Sequence, residues 1–430
     1  MTDTLIRGRL LSFRDDPRAG ADSTSYVEDG AVLVRDGVIL AAGEHAAVAP
    51  QAASGATLID HRPHLILPGF IDTHIHFPQV QVIGSWGSQL LDWLNGYVFV
   101  EEQKFRDPAF AGRMAGAFFD ELLRHGTTTA AAFCSVHPES VDAYFSEALA
   151  RNLRMVGGKV MMDRNAPEAL RDTAQQGYDE SRRLIEAWHG RGRLHYAVSP
   201  RFAITSTEGQ MEASQALIAE RPDLHVQTHL SENLAEIAYT LSLFPFAKDY
   251  TEVYEHYGFT GPKTLMGHCV HLSDREIGAL AASGSVAVFN PTSNLFLGSG
   301  LFDLARMERL GARVAVATDV GAGTSYSMLN TLDAAYKILQ LQGQKLQPLL
   351  SYYMMTLGNA RALGLEAHIG ALDAGRDADM VVLDVRATPA MRLRAETIRT
   401  LEEELFILQT MGDDRAVVET YAAGRPARPR

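Results

Sequence analysis

The sequence predicts an α/β fold in which a (β/α)8 TIM-like barrel carries a small β-sandwich domain formed from both chain ends. Three observations predict this fold. Eight apolar strand candidates alternate with helical segments in the middle of the chain, both ends are rich in short strands and turns, and histidines recur where the central strands end. We place the barrel at residues 66–375 and the composite sandwich at residues 1–65 and 376–430.

The composition is typical of a globular protein with a large core. The 430 residues are 46% hydrophobic and 21% charged, and 39 Lys and Arg against 52 Asp and Glu give a net charge of −13. Such acidity argues against binding to nucleic-acid polymers or anionic membranes. Cys134 and Cys269 are too few for a disulfide framework, and no apolar run is long enough for a membrane helix. We therefore expect a cytoplasmic protein.

The chain ends predict β-structure. Near the N-terminus, apolar runs at 31–34 and 38–42 flank Arg35-Asp36-Gly37, and Asp-Gly between such runs indicates a hairpin. Near the C-terminus, residues 379–384 and 416–421 are similarly β-rich. We expect the two ends to pair.

The central region predicts a closed barrel. Its strand candidates are residues 71–76, 127–133, 155–161, 194–198, 224–229, 264–268, 285–290 and 313–318. Residues 109–123 and 206–220, between strands, repeat apolar side chains with helical spacing. Residues 77–107 are too many for an ordinary loop, so we expect a functional insertion over the barrel mouth.

Histidines and an aspartate at the strand ends predict a metal site. His74 and His76 lie two apart on the first strand and so share a face, while His229, His268 and Asp319 end strands five, six and eight. The carboxyl ends of all barrel strands meet at one mouth. We predict His74, His76, His229 and Asp319 as ligands, with His268 either a fifth ligand or a group that orients the water.

The ligand types predict which metal binds. Three imidazoles and one carboxylate, without a thiolate, suit Zn²⁺ or Fe²⁺ better than Mg²⁺ or Ca²⁺. A second metal would need a bridging anion such as a carbamylated lysine, for which Lys159 is the nearby candidate. We interpret Lys159 as structural and expect one metal ion per chain.

Glu232 is the predicted proton carrier. It follows the ligand His229 by three residues, where a carboxyl group can overhang a water that the metal activates. Glu232 would pass a proton to the substrate, and Asp319 would accept the proton of the water. A simpler interpretation is a favourable charge at a helix N-terminus, and both are compatible.

Longer motifs resemble a known family. Residues 68–76 resemble the opening signature of the amidohydrolase superfamily, and residues 370–379 resemble its return from the barrel to the sandwich. Within the superfamily the chain is similar to the guanine deaminase family. The stretches that carry this similarity are HIHFPQ (74–79), LLDWLNGYVFVEEQKF (90–105), GKVMMDRNAP (158–167), SPRF (199–202), THLSEN (228–233), NPTSNL (290–295) and TDVGAGTSYSML (318–329).

The resemblance implies an activity and its residues. It implies hydrolytic deamination of guanine to xanthine and ammonia in purine catabolism or salvage, with one Zn²⁺ per chain and a homodimeric assembly. The implied catalytic residues are Glu232, Asp319 and His268, beside the four metal ligands. The implied substrate contacts are Gln79, Arg201, Phe202, His229, Glu232 and Asp319. Trp86 and Trp93, in the insertion, are candidates for closing the pocket.

Two alternatives remain open at this stage. The chain could be a related deaminase that acts on another aminated purine, a pterin or a triazine. It could also be a non-catalytic barrel, against which the presence of all four ligands and Glu232 argues. The sequence does not distinguish Zn²⁺ from Fe²⁺.

Overall fold

The computed structural model describes residues 3–86 and 90–429, and its strands form two sheets. In chain order the strands are β1 (Thr4–Phe13), β2 (Thr24–Arg35), β3 (Val38–Glu44), β4 (Thr57–Pro68), β5 (Phe70–His76), β6 (Thr127–Phe133), β7 (Arg154–Gly158), β8 (Val160–Met161), β9 (Leu194–Pro200), β10 (His225–Leu230), β11 (Thr264–His268), β12 (Val286–Phe289), β13 (Arg313–Val316), β14 (Met380–Leu383), β15 (Val417–Ala422) and β16 (Arg425–Pro426).

The central strands form the predicted parallel barrel. They pair in the order β5-β6-β7-β9-β10-β11-β12-β13, and β8 adds to β9. All eight predicted strands are confirmed, although the third is divided into β7 and β8 at Lys159. Their side chains are almost entirely buried, as expected for parallel strands that are covered on both faces.

The ring of strands closes between β5 and the end of β13. The N–H of Asp319 donates to the carbonyl of His74 at 2.9 Å, and the N–H of His76 donates to the carbonyl of Val320 at 2.7 Å. These backbone hydrogen bonds join the first and last strands at the carboxyl ends of the barrel, where the predicted metal ligands lie.

Asn359 joins the same two strands, β5 and β13, deeper in the barrel; we call this junction the seam. Its buried amide nitrogen donates to the carbonyl of Ile71 on β5 at 2.6 Å and to that of Val316 on β13 at 2.8 Å. Its amide oxygen accepts from the N–H of Val316 at 3.0 Å. One side chain thus satisfies three backbone groups that a continuous strand ladder would otherwise pair.

Helices cover the outside of the barrel and the mouth. They are α1 (His45–Val48), α2 (Leu90–Trp93), α3 (Phe99–Glu102), α4 (Pro108–Arg124), α5 (Pro138–Ala150), α6 (Ala174–Trp188), α7 (Glu208–Glu220), α8 (Leu234–Leu243), α9 (Tyr250–His256), α10 (Asp274–Ser283), α11 (Pro291–Phe296), α12 (Leu304–Arg309), α13 (Met328–Leu341), α14 (Pro348–Tyr353), α15 (Asn359–Ala362), α16 (Pro389–Ala395) and α17 (Leu401–Met411).

Polar side chains mark where the main helices begin. Asp107 accepts from the N–H of Ala109 before α4, and Thr207 accepts from the N–H of Gln210 before α7. Such caps satisfy backbone donors that the first helical turn leaves free. Both predicted helices are confirmed at these positions. In the part of the chain that is described, no helix combines the length and apolar character needed to cross a membrane.

Both chain ends contribute to one seven-stranded sheet. Its order is β16-β15-β14-β4-β1-β2-β3, and the antiparallel pairing of β14 with β4 joins the C-terminal segment to the N-terminal one. The predicted joining of the ends is confirmed. The C-terminal sequence predicted only strands, and it did not predict helices α16 and α17, which lie between β14 and β15. Gln409 of α17 donates to the carbonyl of Leu332 on α13, so α17 packs on the barrel.

Candidate metal centre and cavity

The predicted ligands converge at the mouth of the barrel. Nε2 of His76 lies 3.1 Å from Nε2 of His229, and Oδ1 of Asp319 lies 3.4 Å from Nε2 of His74 and 3.3 Å from Nε2 of His76. His74, His76 and Asp319 are buried, and His229 is partly buried. The structure therefore brings together the four residues expected to hold a metal.

A metal ion fits the hydrogen-bonding state of these side chains. The ring of His74 is fully buried, and neither of its nitrogens has a hydrogen-bond partner. Burial lowers the pKa of His76 to about 3 and that of His229 well below its usual value, so both imidazoles are neutral, as ligands must be. Imidazoles and a carboxylate facing one point suit a borderline cation such as Zn²⁺.

The carboxylate of Asp319 is ionised. Burial acts to raise its pKa, but the neighbouring imidazoles of His74 and His76 outweigh burial and hold the pKa well below the ordinary value. The backbone of Asp319 is left-handed, with φ of 54°, and that of His268 has φ of 72°. Non-glycine residues in this conformation are strained and concentrate at functional sites.

Close packing leaves no spare room around His74. A Cβ atom added to Gly267 on β11 would lie 2.5 Å from Cε1 of the His74 ring. Only glycine at this position lets the imidazole stand where the other ligands meet.

His268 lies between two carboxyl groups. Its Nε2 is 3.4 Å from Oε2 of Glu232 and 3.7 Å from Oδ2 of Asp319. Its Nδ1 is 3.0 Å from the amide oxygen of Asn294 and 3.4 Å from the amide nitrogen of Asn290, so two buried amides hold the ring from behind while Nε2 faces the site. His268 can thus contact a water or substrate held beside Glu232.

Glu232 is a buried carboxyl group aimed into the same space. Burial, together with the charge of Asp319, raises the pKa of Glu232 to about 8, and a hydrogen bond from the Ser299 hydroxyl at 2.8 Å partly opposes the rise. Its backbone N–H donates to Glu236 at 2.9 Å, the residue that also closes the capping box of α8. Helix α8 therefore positions Glu232 directly after the ligand strand.

Lys159 takes no part in this centre. It is fully buried between β7 and β8, forms an ion pair with Asp172, and lies 3.4 Å from Glu180. These contacts are those of a structural lysine.

A cavity opens from the metal centre, and its empty space, counted together with the open solvent at its mouth, is about 400 Å³. Its lining mixes the predicted site residues with apolar side chains of the insertion and neighbouring loops: His76, Gln79, Leu90, Trp93, Leu94, Arg201, Phe202, His229, Glu232, Glu236, His268, Leu297, Asp319 and Ala322.

The insertion forms part of the cavity wall. Trp93 is buried, lines the cavity and donates from its indole nitrogen to the carbonyl of Ser85 at 3.1 Å. Trp86 is 77% exposed and lies outside the lining. Of the two candidate tryptophans, only Trp93 is placed to close the pocket.

Another polar residue, Glu102, lies beside two of the predicted substrate contacts, Gln79 and Arg201. Glu102, at the end of α3, is fully buried and accepts from Arg201 Nη1 at 2.9 and 3.0 Å and from Gln79 Nε2 at 3.1 Å. Sequence reasoning missed Glu102, because it stands beside Glu101 in a stretch where nothing marks one glutamate as buried.

Comparisons with known proteins identify the family. The model of the amidohydrolase family matches residues 65–427. The guanine deaminase of Escherichia coli (strain K12) is 46% identical over 98% of this chain and 96% of its own. A solved structure of E. coli guanine deaminase superposes with a TM-score of 0.97 at 45% identity, covering 99% of both chains. The C. acetobutylicum guanine deaminase, solved with guanine bound in its active site, gives a TM-score of 0.90 at 29% identity over 99% of this chain and 100% of that one.

The barrel, the histidine and aspartate centre and the matched segment together place the chain: it belongs to the amidohydrolase family. Within that family, guanine deaminases match it over nearly its whole length.

Proposed function

We propose that this protein hydrolyses guanine to xanthine and ammonia, in purine catabolism or salvage, with one Zn²⁺ per chain. The observation that carries the proposal is a single cavity whose floor is the metal centre and whose wall presents Arg201, Gln79 and Phe202. The similarity of the chain to guanine deaminases over nearly its whole length supports guanine as the substrate.

His74, His76, His229 and Asp319 would hold the metal. His229 is prepared for this because its Nδ1 contacts the carbonyl of Arg201 at 2.6 Å, which leaves the lone pair of Nε2 facing the centre. When bound, Zn²⁺ lowers the pKa of water to about 7 and so makes hydroxide available at neutral pH.

The wall residues suit a flat purine that carries a carbonyl. Arg201 has donors for the ring carbonyl, Gln79 offers an amide to the ring edge, and Phe202, only 5% exposed, has a ring to pack against the purine. These contacts would orient the carbon that bears the exocyclic amine toward the metal centre.

Glu232 and Asp319 would move the protons. Glu232, with its raised pKa, is protonated at neutral pH and can donate to the ring nitrogen next to the amine-bearing carbon. Asp319, ionised, accepts the proton of the attacking water. His268, whose Nε2 lies 3.4 Å from Glu232 and 3.7 Å from Asp319, would orient the water between them. Transfer of a proton to the exocyclic amine lets ammonia leave and yields xanthine.

A substrate panel run beside metal analysis tests the proposal. One preparation is assayed for ammonia release from guanine, adenine, an aminated pterin and an aminotriazine, with its zinc and iron content measured. We expect guanine to have the highest kcat/KM, turnover to disappear on chelation, and Zn²⁺ to restore it. Metal-loaded protein that forms no xanthine from guanine would overturn the proposal.

A further inference from the structure

Glu102 holds two polar residues of the cavity wall, Arg201 and Gln79, without lining the cavity itself. Its carboxylate accepts three hydrogen bonds from behind, two from Nη1 of Arg201 and one from Nε2 of Gln79. Both of these residues also line the cavity. Glu102 is therefore placed to decide which groups they offer to a ligand.

The contacts of Gln79 fix the orientation of its amide. The N–H of Gly321 donates to Oε1 at 3.1 Å, and Nε2 donates one hydrogen to Glu102 at 3.1 Å. A flipped amide would set oxygen against the Glu102 carboxylate and N–H against the Gly321 N–H, and two unsatisfied buried contacts would result. Gln79 is thereby left with one N–H of Nε2 to offer.

Arg201 is fixed in the same way. Both oxygens of Glu102 hold its Nη1, and its guanidinium carbon lies 5.5 Å from the centre of the Phe99 ring. Guanidinium groups donate and never accept. Arg201 and Gln79 together thus form a donor edge of the cavity wall: Arg201 has donors alone, and Gln79 offers an N–H while its oxygen already accepts from Gly321.

We propose that Glu102 is a positioning residue that makes the cavity select a ring carbonyl over a ring amine, by holding Gln79 and Arg201 as donors. This inference rests on the proposed function. A 6-oxopurine brings an acceptor to the donor edge, whereas an amine at the same carbon sets N–H against N–H. A site whose buried donors are left unpaired by the wrong ligand discriminates far more strongly than an apolar pocket does.

The test compares guanine with 2,6-diaminopurine, which keeps the reacting 2-amino group and replaces the carbonyl by an amine. In Glu102→Gln only the Gly321 N–H still opposes a flip of the Gln79 amide, so we expect the ratio of kcat/KM for guanine to that for 2,6-diaminopurine to fall by about tenfold or more. Glu101→Gln is the matched control, because Glu101 is on the same helix and pairs with Lys104 at 2.7 Å. That variant should keep the wild-type ratio.

The outcomes separate the two proposals. Wild-type protein that forms no xanthine overturns the proposed function, whereas active wild type with an unchanged ratio in Glu102→Gln overturns the role of Glu102 alone. A purely structural role would lower both rates equally and leave the ratio intact. If Glu102→Gln fails to fold or bind zinc, Gln79→Ala replaces it: a reduced ratio supports the fixed donor, and an unchanged ratio overturns it.

Discussion

Nδ1 of His229 contacts the backbone carbonyl of Arg201 at 2.6 Å. Arg201, which directly follows β9, therefore orients a predicted metal ligand through its backbone carbonyl. Its side chain lines the cavity. Because the two roles use different atoms of Arg201, they can be separated by mutation.

Arg201→Lys should impair substrate use without loss of metal. The backbone carbonyl remains, but lysine has no planar fork for a carbonyl and for Glu102 together. We expect kcat/KM for guanine to fall about 10- to 100-fold, corresponding to about 1.4–3 kcal/mol, with zinc content unchanged. Steady-state kinetics and metal analysis check this, and zinc loss in Arg201→Lys would contradict the separation of roles.

Glu232→Gln should abolish proton transfer while preserving the cavity. The amide has the shape of the acid but cannot donate and recover a proton, so we expect kcat to fall about 10²- to 10⁴-fold. Zinc content should stay at the wild-type value. Ser299→Ala, which removes only the hydrogen bond to Glu232, is the milder companion variant. Near-normal kcat in Glu232→Gln would rule out its role as proton carrier.

Gly267→Ala should disturb the metal centre through His74. The new Cβ would lie 2.5 Å from the imidazole, which must move, and overpacking of this kind costs about 1–3 kcal/mol. We expect weaker zinc retention during dialysis and a lower Tm. Gly278→Ala is the control, since an added Cβ there meets nothing within 4 Å, and its helix should be unchanged or slightly more stable.

Asp377→Asn should destabilise the junction between the barrel and the C-terminal segment. Asp377 accepts from Arg154 at 2.8 Å and from Arg193 at 2.9 Å. Burial acts to raise its pKa, but these two arginines outweigh it and lower the pKa below 3.8. Loss of the charge should reduce the free energy of unfolding by about 1–3 kcal/mol at pH 7.

The loss of stability in Asp377→Asn should become smaller as the pH falls. A carboxyl group whose pKa is lower in the folded than in the unfolded protein adds stability above its unfolded pKa, and the gain disappears as pH falls through the folded value. The difference between wild type and Asp377→Asn in urea unfolding should therefore be full at pH 7 and shrink below about pH 4. Asp373→Asn, which removes a surface pair with Arg376, should have a small effect.

The sequence was most informative where local pattern and topology coincide. Buried parallel strands appear as apolar runs, and a barrel brings their ends together, so the convergence of His74, His229 and Asp319 could be predicted from the sequence alone. The burial of Glu102 could not, because it depends on how the insertion folds over the mouth. Helices α16 and α17 were missed because neighbouring strands dominated the pattern of the C-terminal segment.

The predicted metal ligands lie on both sides of the seam between β5 and β13, the first and last strands of the barrel. His74 and His76 lie at its first edge and Asp319 at its last, so a chain still being synthesised holds histidines but no completed ligand set until nearly the whole barrel has emerged. Because the ligand set is complete only when the barrel is closed, a metal ion would bind the closed barrel alone. Binding would then shift the folding equilibrium toward the closed barrel. In zinc-free protein, the amides of residues 316–320 should exchange hydrogen faster than those of β10 and β11. A metal ion at this site would therefore favour the closed barrel over forms in which the first and last strands have separated.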